Sequence, residues 1–231
     1  MTGGRRVTIE VTIAAPSDEV WGALREPRQI ARWFGWDYDG LEAEIDQIFV
    51  SGAREEDDPR RLDTGDGTFA LEPLQGGPRH TLVRVTRAEP SGDVGADEMY
   101  EAIDQGWITF VQQLRFALER HPGQDRRTVY LSNGTGDPVE ALGLDRTTLP
   151  PGDRYTARLP WGDELAGESF FSTDRQLGLT VDGWGDGLLV LGGGGGGATA
   201  ILTTYGLDDD AFDALERRWT AGWESSRSAT P

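Results

Sequence analysis

Two stretches, Asp97-Glu98-Met99-Tyr100-Glu101-Ala102-Ile103-Asp104-Gln105-Gly106-Trp107 and Asp209-Asp210-Ala211-Phe212-Asp213-Ala214-Leu215-Glu216-Arg217-Arg218-Trp219, lie over each other without a gap at a constant offset of 112. The leading Asp, the Ala and the final Trp are identical, and most other positions keep acid for acid and apolar for apolar. Each stretch closes about half of the 231-residue chain. The reading is two copies of one domain type, residues 1–124 and 125–231.

The first stretch begins a long helix expected over 96–120, in which Met99, Ile103, Trp107, Phe110, Leu114 and Leu118 recur at three and four residues and form one apolar stripe. His121-Pro122-Gly123 stops it. Upstream, Val7, Ile9, Val11 and Ile13 alternate with Thr8, Glu10 and Thr12, the pattern of a strand with one buried face. A helix follows from Pro16 through Leu24 with Ser17 as its expected cap, then a short helix over 28–33 entered at Pro27. Strands are expected at 41–50, near Leu62, at 68–72 and at 81–87, with a solvated loop over 54–61.

The second half repeats the plan: strands at 128–131, 154–159, 168–172, 176–181, 187–191 and 199–205, with 137–144 standing for the short helices. A closing helix over 208–225 carries Phe212, Leu215, Trp219 and Trp223 on one face. Gly192–Gly197, six glycines in a row, reads as a mobile hairpin connection, since no Lys-Ser/Thr or helix start follows to make a phosphate loop. The order strand, short helices, antiparallel strands, long terminal helix gives an α+β domain whose curved sheet buries one face on that helix.

Forty acidic residues against 22 basic ones leave a formal charge of -18, which repels phosphate backbones and anionic lipid; neither nucleic acid nor membrane is an expected partner. Every basic residue is Arg, so Schiff-base and Walker lysines are excluded. With no Cys there is no disulfide, thiolate nucleophile or zinc-thiolate site. No signal-like or membrane-spanning run is present, and the expected location is cytoplasmic.

The segment VTIAAPSDEVWGALREPRQIARWFG at 11–35 and the segment GWITFVQQLRFALE at 106–119 resemble the START/Bet v 1-like (SRPBCC) superfamily, in particular the branch related to the carboxy-terminal domain of the activator of the Hsp90 ATPase. The resemblance covers 5–121 and implies a helix-grip fold, a curved antiparallel sheet wrapped on a long carboxy-terminal helix. Residues 125–231 lack the Ala-Pro and Trp-Phe segments and look like a degenerate second copy. Members of the superfamily include ligand carriers, cyclases, hydrolase-like enzymes, polyketide-processing domains and a co-chaperone, so the resemblance implies a pocket and leaves the chemistry open.

The candidate cavity residues are Trp33, Phe34, Phe49, Phe69, Trp107 and Phe110, aromatics placed either to line a pocket or to fill it. The expected function is binding of a small apolar or amphipathic molecule in the first domain, with the second mainly structural. One alternative is a protein-interaction or co-chaperone-like module, its acidic surface meeting a basic partner or a second copy of the chain. Another is a hydrolase or cyclase of a hydrophobic or aromatic substrate, using Arg32 or Asp104, both expected to face solvent unless a cavity recruits them. No catalytic set can be assembled around His80 or His121, and no cofactor or metal is expected. Trp184, in the Gly-rich string 182–187, has three places open to it: a contact with another domain or subunit, which is favoured, its own core, or a ligand gate.

Overall fold

The computed structural model describes residues 5–57, 59–65, 67–73, 79–88, 94–193 and 197–228. The chain divides into two compact units, Met1–Gln124 and Asp125–Pro231.

In the first unit, β1 (Arg5–Ile13) leads into α1 (Ser17–Arg25) and α2 (Pro27–Ile30). Pro16, not Ser17, occupies the cap position of α1, and no side chain caps it. The expected strand at 41–50 is instead α3 (Leu41–Ile45) running into a π-helical turn (Asp46–Ser51). Leu41, Ile45 and Phe49 are spaced by four and all buried, a helical stripe that overrides the β-branched character of Ile45, Ile48 and Val50. The expected loop at 54–61 is a hairpin, β2 (Arg54–Asp57) paired with β3 (Arg60–Asp63). Its outer strand is exposed throughout and charged, as suits a sheet edge. Strands β4 (Thr68–Pro73) and β5 (Thr81–Ala88) complete an antiparallel sheet of order β1-β5-β4-β3-β2, and α4 (Val94–Arg120) follows.

The second unit contains β6 (Arg127–Gly134), α5 (Pro138–Ala141), β7 (Arg154–Arg158), β8 (Glu164–Ser172), β9 (Gln176–Val181), β10 (Gly187–Gly192), β11 (Ala198–Thr204) and α6 (Asp209–Ser228). Asp137 caps α5, its carboxylate accepting from the Val139 amide at 2.8 Å, and Asp208 does the same for α6 through the Ala211 amide. The sheet order is β6-β11-β10-β9-β8-β7. In both units the first strand pairs with the last, the others follow in descending order, and the long helix comes next. This is a helix-grip topology present twice. The glycine run joins β10 to β11, and its residues 194–196, on which the expected mobility falls, lie outside the described residues.

Each unit has its own core. In the first, Val11, Ile13, Val83, Val85 and Phe69 from the sheet meet Trp107, Val111 and Leu114 from α4. In the second, Leu179, Leu189, Leu191 and Leu202 meet Phe212, Leu215, Trp219 and Trp223 from α6. Trp184 belongs to this second core, its ring 5.3 Å from that of Trp219, so the favoured expectation of an outside contact is corrected. The turn that places it ends at Gly185, whose φ is 71° and where a Cβ would lie 1.9 Å from the Tyr205 carbonyl oxygen; only glycine fits.

Candidate functional site

The grip of the first unit is built from four elements that each contribute aromatic rings. The turn after α2 supplies Trp33 and Phe34; the Trp33 indole N–H donates to the Ala23 carbonyl at 2.8 Å, which fixes the ring against α1. The π-helical turn supplies Phe49, whose carbonyl accepts from the Arg25 guanidinium, so the turn is tied to the same helix. Phe69 comes from β4, on the inner face opposite Val85, and α4 adds Trp107 and Phe110.

All six rings meet in one cluster. Ring centroids lie 5.0 Å apart for Phe34–Phe49, 4.9 Å for Phe34–Phe110, 5.5 Å for Trp33–Phe49, 5.3 Å for Phe69–Trp107 and 6.0 Å for Trp107–Phe110. Most cross at steep angles, the edge-to-face geometry that aromatic quadrupoles favour. Trp33, Phe49 and Phe69 are sealed, whereas Phe110 and its neighbour Trp36 are only half-buried and form the margin of the cluster.

One row further along the sheet the inner face changes character. On β5 the inward positions are Thr81, Val83, Val85 and then Arg87, which is 3% exposed. Arg84, three residues earlier, points outward and pairs with Glu10 and Glu72 on the solvent face. Arg87 instead reaches across to α4, where its Nε lies 2.7 Å from Oδ1 of Asp104, a carboxylate only 10% exposed. Asp104 sits one turn before Trp107, so the ion pair adjoins the Phe69–Trp107 contact. The Arg87 Nη1 is buried with no hydrogen-bond partner among the described residues, and the contact to Asp104 is an ion contact rather than an aligned hydrogen bond.

The expectation that Asp104 faces solvent is thereby corrected. The stripe of α4 is rotated: Asp104, Trp107, Val111 and Leu114 face the sheet, and Ile103, expected inside, is 37% exposed. A charge takes the inward place because Arg87 meets it there. Arg32 is elsewhere, on a recess of about 30 Å³ with Leu118 and His121, some 14 residues down the helix from Asp104 and so about 20 Å away. The two candidate charged residues do not converge. His80 is exposed on an open groove with Glu10, Arg115 and Glu119, and His121 is buried against Phe116. Among the described residues no three His, Cys, Asp or Glu are grouped to hold a metal, and no helix is long and apolar enough to cross a membrane.

Arg87 escaped the sequence reading, although a signal existed. In Thr81-Leu82-Val83-Arg84-Val85-Thr86-Arg87, the period of two puts Arg87 on the same face as Val83 and Val85. An arginine on the apolar face of a strand calls for a partner inside.

No protein-family description matches this chain, and no curated protein sequence does. Among solved structures, the di-domain ARO/CYC BexL from the BE-7585A biosynthetic pathway aligns over 100% of both chains at 15% identity and a TM-score of 0.38. The di-domain ARO/CYC StfQ from the steffimycin biosynthetic pathway aligns over 95% of this chain and 93% of its own at 13% identity and a TM-score of 0.31. DynU16, a protein of the dynemicin biosynthetic locus, aligns over 97% and 96% at 20% identity and a TM-score of 0.28. The helix-grip assignment rests on the topology of the chain itself, and the likeness to the Hsp90-activator branch on sequence resemblance alone.

Proposed function

We propose that the first unit takes a small hydrophobic or aromatic molecule into its grip and acts on it as a hydrolase or cyclase. The observation that carries this reading is the buried Arg87–Asp104 pair beside the aromatic cluster. Desolvating both charges is expensive, and apolar residues of similar volume in such a place are often neutral or stabilising by about 1–4 kcal/mol. A pair kept there is better explained by work done on a ligand than by stability. In a layer shielded from water, the guanidinium would stabilise negative charge developing on a substrate oxygen, and the carboxylate would hold it in place or take up a proton. The six rings supply flat apolar surface, and the half-buried Phe110 and Trp36 are the side chains that would move aside to admit a ligand.

The test is a panel of aromatic esters, thioesters and polyketones of one to three rings, scored by thermal shift and then by mass spectrometry for product. The expected result is a raised melting temperature with some members and product from the native protein. Asp104→Asn, checked for folding, should bind without forming it, and Arg87→Gln should bind more weakly and form none. If no member shifts the melting temperature, the reading fails. Binding without product in the native protein would make it a carrier.

A further inference from the structure

We infer that the ligand of the first unit presents a neutral carbonyl oxygen, rather than an anion, to Nη1 of Arg87. The inference rests on the reading of that unit as a binder of aromatic molecules and names the polar group such a molecule must bear.

Three observations carry it. The first is the donor. Nη1 is buried without a hydrogen-bond partner among the described residues. A buried donor left unmet carries a desolvation cost, which an acceptor brought by the ligand removes. The nearby carbonyl of Gly67, in the same row of the sheet, already accepts from both the amide and the hydroxyl of Thr64, at 2.9 and 3.0 Å. A Cβ on Gly67 would be in van der Waals contact with Cγ of Arg87 at 3.4 Å, so the missing side chain leaves a methyl-sized gap beside the arginine stem.

The second is the charge balance. Asp104, 2.7 Å from Nε, already neutralises Arg87, and both side chains are nearly sealed from water. A carboxylate or phosphate added there would bring uncompensated negative charge beside Asp104, which burial penalises heavily. The formal charge of -18 opposes its approach as well. A ketone or ester oxygen adds no charge and still receives a charge-assisted hydrogen bond.

The third is placement. Asp104 and Trp107 are three residues apart on α4, and Trp107 packs on Phe69 at 5.3 Å. A flat ring held among Phe69, Trp107 and Phe110 therefore has Arg87 at its edge, where an exocyclic carbonyl would project. The same hydrogen bond polarises that carbonyl, making its carbon the electrophile in hydrolysis or ring closure.

The test is equilibrium dialysis of the full chain at pH 7 with 2-acetylnaphthalene, 2-ethylnaphthalene and 2-naphthoate, three probes with one ring system. The ketone should bind about tenfold or more tighter than the hydrocarbon, as expected for a hydrogen bond to a charged donor, and the carboxylate should bind more weakly than the ketone. Bound ketone labelled with carbon-13 at the carbonyl should show its stretch at lower wavenumber than in hydrocarbon solvent. The double substitution Arg87→Met with Asp104→Leu should abolish the ketone preference and the spectral shift. Equal binding of ketone and hydrocarbon, tightest binding by naphthoate, or an unshifted stretch overturns the carbonyl assignment and leaves aromatic binding standing. If none of the three binds, the aromatic-binding reading fails as well. The ranking and the stretch are read on the native protein, so the test holds even if the double variant does not fold.

Discussion

The two units share one strand order and one terminal helix, yet their helices turn different residues inward. At the offset of 112, Ile103 corresponds to Leu215 and Asp104 to Glu216. In the second unit Leu215 is buried and Glu216 exposed, the ordinary amphipathic outcome; in the first Ile103 is exposed and Asp104 buried. The sheets differ in step. The last inward position of β5 is Arg87, whereas that of β11 is Thr204, whose hydroxyl donates to the Arg127 carbonyl at 3.1 Å. A small rotation of one helix, held by one ion pair, thus separates a unit with a charged inner edge from one whose helix carries Leu215 and Trp219 inside. One scaffold, present twice, carries two different interiors.

The sharpest way to break this comparison is to remove the matched acids. Asp104→Ala leaves the Arg87 guanidinium buried and unpaired, a change expected to cost about 3–5 kcal/mol. Glu216→Ala, on an exposed helix face, should fall within about 0.5 kcal/mol. Urea unfolding gives the totals, and hydrogen exchange resolved by peptide assigns the loss to the first unit. Equal small effects would mean that Asp104 and Glu216 are equivalent surface acids and that the helices are not rotated as described.

A second contrast is alkaline stability. Burial pushes the Tyr205 phenol up to about 12, and burial moves Tyr155 in the same direction. The folded value is raised above the unfolded one, near 10. Below that pH both states hold the proton and stability is unaffected. Between about 10 and 12 the unfolded phenol ionises while the folded one does not, so stability falls with rising pH by about 2–3 kcal/mol from Tyr205 alone. Tyr38, the tyrosine of the first unit with a described side chain, is also pushed up to about 12, chiefly by its hydrogen bond to Glu44 at 2.6 Å, but it is exposed and solvent screens most of that bond's effect on stability. Exchange rates followed from pH 9 to 12 should rise more in the second unit, and Tyr205→Phe should flatten the slope. A uniform rise in both units would refute the assignment.

Much of this was legible in the sequence, and the failures have physical causes. The terminal helices, the opening strand and the second unit's strands follow from periodicity, because each has one clear apolar face. The six aromatic candidates do come together, since they fall on inward positions of elements that face the same space. The region 41–57 misleads twice: Ile45, Ile48 and Val50 suggest a strand, while the spacing of Leu41, Ile45 and Phe49, which matters more, is helical. The charged run that follows is a strand held by its pairing to β3, information that its own composition does not contain. The ion pair was half visible, as an arginine in an apolar register, but its partner lies 17 residues away on another element, and only the fold brings them together.

The smallest effect compares a glycine in each long helix. Gly106 of α4 has open space around it: a Cβ there meets nothing nearer than the Phe110 ring at 3.8 Å. Gly222 of α6 is covered by the Trp161 indole, whose atoms would lie 2.3–2.7 Å from a Cβ. Trp161 in turn packs on Trp219 at 5.3 Å, so it cannot withdraw without disturbing the sealed ring beneath. Gly222→Ala should therefore destabilise the second unit by about 1–3 kcal/mol through overpacking. Gly106→Ala should stabilise the first by roughly 0.5–1 kcal/mol, the ordinary helix-propensity gain. The opposite signs are the test, read as shifts of the urea midpoint at constant slope. If Gly106→Ala also destabilises, the margin beside Phe110 is tighter than described, and the entrance proposed between Phe110 and Trp36 loses its support.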